Sequence, residues 1–142
     1  MSQRKSAMQH SVRPLILLLD DEEPIIQALA MFLEDLNYDV CTFTSPRRAL
    51  ENLVSCRPDL IITDLMMPGM NGNEFIRRAR EEQHVKTPTI MMSAARLPAQ
   101  LMTADAYIGK PFDLNVLEQL IRRFLPQRCT NHDEDNRDHL SA

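Results

Sequence analysis

No Cys-x-x-Cys pair occurs in this chain of 142 residues, and its three cysteines, Cys41, Cys56 and Cys129, are odd in number and far apart in sequence. That spacing suggests no disulfide framework and suits a reducing compartment. Long apolar runs are missing too. Leu15–Leu19 is too short for a signal core or a membrane span, and the polar stretch Met1–His10 is not followed by an apolar core. The expectation is a cytoplasmic chain without membrane insertion. Positive charge is not in excess: the net charge is -4. This argues against direct binding to nucleic acid or an anionic surface. The arginine pairs 47–48, 77–78 and 122–123 read as solvated helix faces. There is no repeat of the solenoid kind.

What is present suits one soluble domain: 44% hydrophobic and 25% charged residues. At this size roughly two thirds of the unfolded surface can be buried, enough for one core. The informative stretch is Leu60-Ile61-Ile62-Thr63-Asp64, followed by a loop carrying Pro68-Gly69 and Asn71-Gly72. A short apolar run without alternation reads as a buried strand, and the Pro-Gly and Asn-Gly pairs turn the chain. Asp64 is thereby carried to the rim of a sheet, where open α/β sheets bind ligands.

The rest repeats that plan. Leu15–Leu19 runs into Asp20-Asp21-Glu22-Glu23, and Pro24 then opens a helix to about Leu36. Val40–Thr44 reads as a strand. Ser45-Pro46 opens a helix to about Ser55, with Ala49, Leu50, Leu53 and Val54 inward. Asn73 to about Glu82 is amphipathic through Phe75, Ile76 and Ala79. Thr89–Met92 is a strand ending at Ser93. Residues 97–104 hold about two helical turns. Ala106–Ile108 is the fifth strand, before Gly109-Lys110-Pro111. Asp113 caps a last helix striped by Leu114, Leu117, Leu120, Ile121 and Phe124. Five strand–helix units imply a parallel sheet with helices on both faces. Residues 1–13 are expected to be a flexible lead-in, 14–125 the domain, and 126–142 a polar, disordered tail too short for a second domain.

Parallel strands put their ends on one edge, so Asp20, Asp21, Asp64, Ser93 and Lys110 gather there. Crowded carboxylates repel and require a cation. All-oxygen ligands without His or Cys suit Mg²⁺. A carboxylate, a hard metal, a lysine and a hydroxyl describe a site for a phosphoryl group, with Asp64 attacking phosphorus. Taken singly, each residue has a plainer reading. Asp20-Asp21 would be helix-dipole compensation, Asp64 a turn residue, Ser93 a cap, and Tyr107 a half-buried sheet aromatic.

In their order and spacing, Leu-Leu-Asp20-Asp21-Glu-Glu-Pro, Ile-Ile-Thr-Asp64-Leu-Met-Met-Pro-Gly-Met-Asn-Gly, Met-Met-Ser93-Ala and Tyr107-Ile-Gly-Lys110-Pro-Phe resemble the receiver domain of two-component response regulators. The resemblance covers about Leu15 to Leu125. It implies a flavodoxin-like sheet of order 2-1-3-4-5. It also implies a phosphoryl group taken by Asp64 from a sensor histidine kinase or a histidine phosphotransfer protein, and a downstream protein target. In that family pattern Asp21 binds Mg²⁺ directly, Asp20 acts mainly through water, and the Met66 backbone carbonyl is a further ligand. Ser93 and Lys110 hold phosphoryl oxygens, Tyr107 is the switch aromatic, and Lys110-Pro111 is a cis peptide.

Two departures from that pattern matter. The segment between Ser93 and Tyr107 is short by about one to one and a half helical turns, which leaves room for only a shortened fourth helix. A monomer or weak dimer, or a modified signalling face, is expected. Met66 and Ala95, two residues after Asp64 and Ser93, cannot orient an attacking water, so self-dephosphorylation is expected to be slow. The chain is thus read as a switch, not as an enzyme turning over a metabolite. The alternatives are an Asp-nucleophile, Mg²⁺-dependent phosphatase, against which Met66 weighs, and a phosphorylation-independent interaction module.

Overall fold

Five apolar side chains in a row leave no strand face for water, so Leu15–Leu19 belongs at the centre of a sheet. The computed structural model, which describes residues 12–126, places it there. β1 (Leu15–Leu19) lies between β2 (Asp39–Phe43) and β3 (Leu60–Asp64). β4 (Thr89–Ser93) follows β3, and β5 (Ala106–Gly109) forms the far edge. The order is β2-β1-β3-β4-β5 and every pairing is parallel. All residues of β1, β3 and β4 are buried, while the edge strands are mostly half-buried. The expected terminal segments fall, apart from residues 12, 13 and 126, outside the described residues.

The described residues form two units, 12–112 and 113–126. In the first, alternation along the strands sends Leu17, Leu19, Ile61 and Met91 to one face. There they pack with α2 (Pro46–Cys56) through Ala49, Leu50 and Leu53, and with α3 (Gly72–Glu81) through Phe75, Ile76 and Ala79. α1 (Glu23–Asp35) runs beside β1 and β2. Its buried Ile26, Leu29 and Leu33 lie outside that cluster, and so do Ile16 and Leu18 of the opposite strand face. Helices therefore cover both faces of the sheet.

The helix starts follow the capping logic. The Ser45 hydroxyl accepts the Arg48 N–H at 3.3 Å, with Pro46 in the first turn. α3 begins one residue earlier than expected, because Asn71 caps it by accepting the Glu74 N–H at 2.9 Å. Arg57 leaves α2 in the left-handed region (φ 53°). In the second unit Asp113 accepts the Asn115 N–H at 2.8 Å and starts α4 (Leu114–Phe124), whose buried residues are Leu117 and Ile121.

Three expectations are corrected. Val54 is 63% exposed, since it falls past the edge of the stripe made by Pro46, Ala49, Leu50 and Leu53. Leu114 is exposed as well: helical side chains lean toward the N-terminus, so the first residue points off the end. Finally, residues 97–104 form no two-turn helix. Only a 3₁₀ turn, Ala99–Leu101, survives. Pro98 is extended, no side chain caps the turn, and none of its residues is buried, so nothing offsets the cost of nucleating a helix. Asp105 anchors the end of this loop instead, accepting from the Thr89 N–H at 2.8 Å and from Arg80 at 3.1 Å.

Candidate functional site

Each strand of a parallel sheet ends on the same edge, and the register makes the ends meet. Asp64 stands opposite Met92, and Ser93 opposite Gly109. Backbone bonds continue just past the strands: Asp20 N–H to the Phe43 carbonyl, Leu65 N–H to Met92, and Lys110 N–H to Ser93. Asp20, Asp64, Ser93 and Lys110, from four different strand ends, are thereby fixed on one rim of the first unit.

The centre of the site is an ion cluster. The Lys110 ammonium lies 3.0 Å from Asp64 Oδ1 and 3.2 Å from Asp20 Oδ2. Asp20 is 1% exposed and Asp64 7% exposed, whereas Asp21 is open to solvent. Asp20 is held further by accepting the Glu22 N–H at 2.9 Å on Oδ1. Burial pushes the Asp64 carboxyl above the usual range for aspartate, with the Asp20 charge adding to the rise. The Lys110 hydrogen bond and charge, and the Leu65 N–H, pull the other way without cancelling it. For Lys110, burial pulls the ammonium down, but the hydrogen bond and charge of Asp64 and the charge of Asp20 together outweigh it and leave the group raised.

One carboxylate oxygen each from Asp20, Asp21 and Asp64 lie within 4.8 Å of one another. One lysine among three carboxylates leaves the cluster anionic. Its all-oxygen donor set, partly open through Asp21, fits a hard divalent cation such as Mg²⁺ that keeps some of its waters. The loop after Asp64 is drawn back to the strand by the Gly72 N–H, which donates to the Leu65 carbonyl at 2.8 Å. A Cβ at Gly72 would collide with the Asp64 backbone carbonyl, so only glycine fits there. Gly69 in the same loop takes the left-handed conformation (φ 84°).

Two of the expected residues are engaged elsewhere. The Ser93 hydroxyl donates to the Ala95 carbonyl at 2.8 Å and accepts the Ala95 N–H at 2.9 Å, so it closes its own loop instead of reaching Asp64. Tyr107 is half-buried on the α2–α3 face. Its hydroxyl donates to Asn73 Oδ1 at 3.2 Å and accepts the Thr103 N–H at 3.2 Å, while the Thr103 hydroxyl donates to the same Asn73 oxygen at 2.6 Å. Asn73 and Thr103 were not foreseen from sequence, because nothing local marks a contact between residues 30 positions apart. Met66 is 67% exposed. The Lys110-Pro111 peptide is cis, as expected. Among the described residues no helix is long and apolar enough to cross a membrane.

Comparison with known proteins agrees with this geometry. The family model described as "Response regulator receiver domain" matches residues 16–122. The transcriptional regulatory protein CrdR of Helicobacter pylori is 34% identical over 114 residues, covering 77% of this chain and 54% of its own. The response regulator ArlR of Staphylococcus saprophyticus is 36% identical over 115 residues, covering 78% of this chain and 51% of its own. This chain thus spans about half the length of the curated relatives it matches. Among solved structures, the chemotaxis response regulator CheY4 of Vibrio cholerae superposes with a TM-score of 0.73 at 32% identity, over 80% of this chain and 100% of that one. The response regulator TrrA of Thermotoga maritima, solved in complex with Mg²⁺ and BeF, gives 0.72 at 29% identity, over 79% and 99%.

Proposed function

The chain belongs to the response regulator receiver domain family, and from that premise we propose that Asp64 is its phosphoryl acceptor. The observation that carries the assignment is the Lys110 ammonium held between Asp64 and Asp20 on an otherwise anionic rim. Asp64 would attack phosphorus with a carboxylate oxygen, forming an acyl phosphate as the bond to the donor's imidazole nitrogen breaks and the histidine leaves. Lys110 then exchanges a carboxylate partner for a phosphoryl oxygen, keeping its charge next to the charge that is transferred. Asp20, Asp21, Asp64 and the Met66 carbonyl would hold Mg²⁺, which neutralises phosphoryl oxygens when bound.

Ser93 would turn from Ala95 toward the new phosphoryl group. Tyr107 would follow it, leaving Asn73 and Thr103 and so changing the surface around the 3₁₀ turn. Donor and reader are proteins: a sensor histidine kinase or a histidine phosphotransfer protein on one side, a downstream target on the other. A net charge of -4 favours a protein reader over nucleic acid. The absence of a regular helix before β5 favours a monomer or weak dimer, and a cytoplasmic place follows from the donor class. The domain changes its own covalent state and turns over no metabolite. Met66, exposed and without a proton to transfer, weighs against the phosphatase alternative.

The test is intact-mass spectrometry after incubation with acetyl phosphate, with and without Mg²⁺, on the wild type and Asp64→Asn. One added phosphoryl group that needs both Mg²⁺ and Asp64 is expected. An equal adduct on Asp64→Asn would sink the assignment.

A further inference from the structure

The sequence gives no reason to pair Cys41 with Cys56. One lies in the edge strand β2 and the other is the last residue of α2. The fold brings their Sγ atoms to 2.6 Å, in direct contact. Both side chains are half-buried and pack against the core cluster that contains Leu17, Leu50 and Leu53, as does Phe43 of the same strand as Cys41. Among the described residues β2 pairs with β1 alone, so its outer side has no neighbouring strand there to stop it from opening.

We propose that Cys41 and Cys56 are a dithiol modification site, oxidised to an intramolecular disulfide by a low-molecular-weight disulfide and reopened by the corresponding thiol. The thiolate of one cysteine attacks the small disulfide, forming a mixed disulfide and releasing one thiol. The second protein thiolate then attacks the mixed disulfide, forms the Cys41–Cys56 bond and releases the second thiol. The protein loses two electrons and two protons, and the small disulfide gains them. Partial exposure gives the small molecule access, and contact between the sulfurs makes ring closure fast relative to capture of a second small molecule. The product ties the edge strand to the end of α2 across a sequence separation of 15. It is therefore expected to raise the melting midpoint.

The test uses the full chain. The reduced protein is equilibrated with mixtures of reduced and oxidised glutathione, quenched with an alkylating agent and mapped by peptide mass spectrometry. The expected result is a bridge joining the peptides of Cys41 and Cys56, with a loss of two hydrogen masses, and Cys129 outside that bridge, alkylated or carrying glutathione. The melting midpoint should rise by several degrees on oxidation in the wild type and in Cys129→Ser, and not in Cys41→Ser or Cys56→Ser. Alkylation of both Cys41 and Cys56 in fully oxidised glutathione would overturn the proposal. So would separate glutathione adducts on each, or a bridge to Cys129. The wild-type map decides the matter even if a serine variant folds poorly.

Discussion

Lys110 Nζ sits 3.0 Å from Oδ1 of Asp64, joining the end of β5 to the end of β3 across the intervening strand β4. The same ammonium reaches Asp20 at the end of β1. One cation thus ties the end of its own strand to two strand ends that bear negative charge, in a place where Asp20 and Asp64 are almost fully buried.

Lys110→Met is expected to keep the fold when Mg²⁺ is present and to slow phosphorylation by acetyl phosphate by about 10²–10³-fold, the usual effect of removing one preorganised charge-stabilising donor. Mass-resolved rates of adduct formation, with a melting curve as control, check this. An unchanged rate would remove Lys110 from the phosphoryl-binding role.

The raised Asp64 carboxyl gives a stability prediction with a definite sign. Because burial makes its charged form less favourable folded than unfolded, its stabilising contribution is present below the ordinary value of 3.8 and lost as the pH rises through the folded value. At neutral pH without Mg²⁺, Asp64→Asn should therefore melt a few degrees above the wild type, with Lys110 still held by Asp20. The gap should narrow as the pH falls through the folded value, where the wild-type carboxyl takes up its proton. A variant that melts lower at neutral pH would show that the Lys110 pair outweighs burial.

Mg²⁺ should stabilise the domain by about 1.4 kcal/mol at a tenfold excess over its dissociation constant. Asp21 is exposed, and its side chain has little packing to lose. Asp21→Asn should then leave the metal-free melting point nearly unchanged while abolishing most of the Mg²⁺-induced shift. Calorimetric melts across a Mg²⁺ series read both effects.

At Gly72 the added methyl of Gly72→Ala meets the backbone carbonyl of Asp64, which has no flexible end to move aside. A loss of about 1–3 kcal/mol is expected, the range for overpacking. Slower phosphorylation should accompany it, because the displaced backbone is the one that carries Asp64. Denaturant unfolding and adduct kinetics measure the two together. Stability lost without any change in rate would show that the loop yields and leaves Asp64 in place.

Met66 and Ala95 are both exposed, and neither side chain can hydrogen-bond a water. The acyl phosphate on Asp64 should therefore persist for minutes or longer, and Met66→Asn should shorten its life several-fold by orienting the attacking water. Decay of the phosphorylated mass after removal of the donor gives both numbers. A lifetime of seconds in the wild type would refute the argument.

The sequence by itself determined the order of the strands and which side chains share the edge of the sheet. Continuous apolar runs such as Leu15–Leu19 and Leu60–Ile62, bounded by turn signals, read as central strands of a parallel sheet, and Ser45-Pro46 and Asp113 are start signals read locally. Once the strands are parallel, Asp20, Asp64, Ser93 and Lys110 must share an edge, because each follows or ends a strand. Tertiary structure alone decided which groups touch. The Ser93 hydroxyl closes on Ala95, while Tyr107 meets Asn73 and Thr103. The sulfurs of Cys41 and Cys56 meet although 15 positions separate them. The segment before β5 had enough residues for two turns, but no buried face to stabilise them. Element type follows from spacing within a few residues. Contact between distant side chains follows from how the helices settle on the sheet, and no local pattern carries that information.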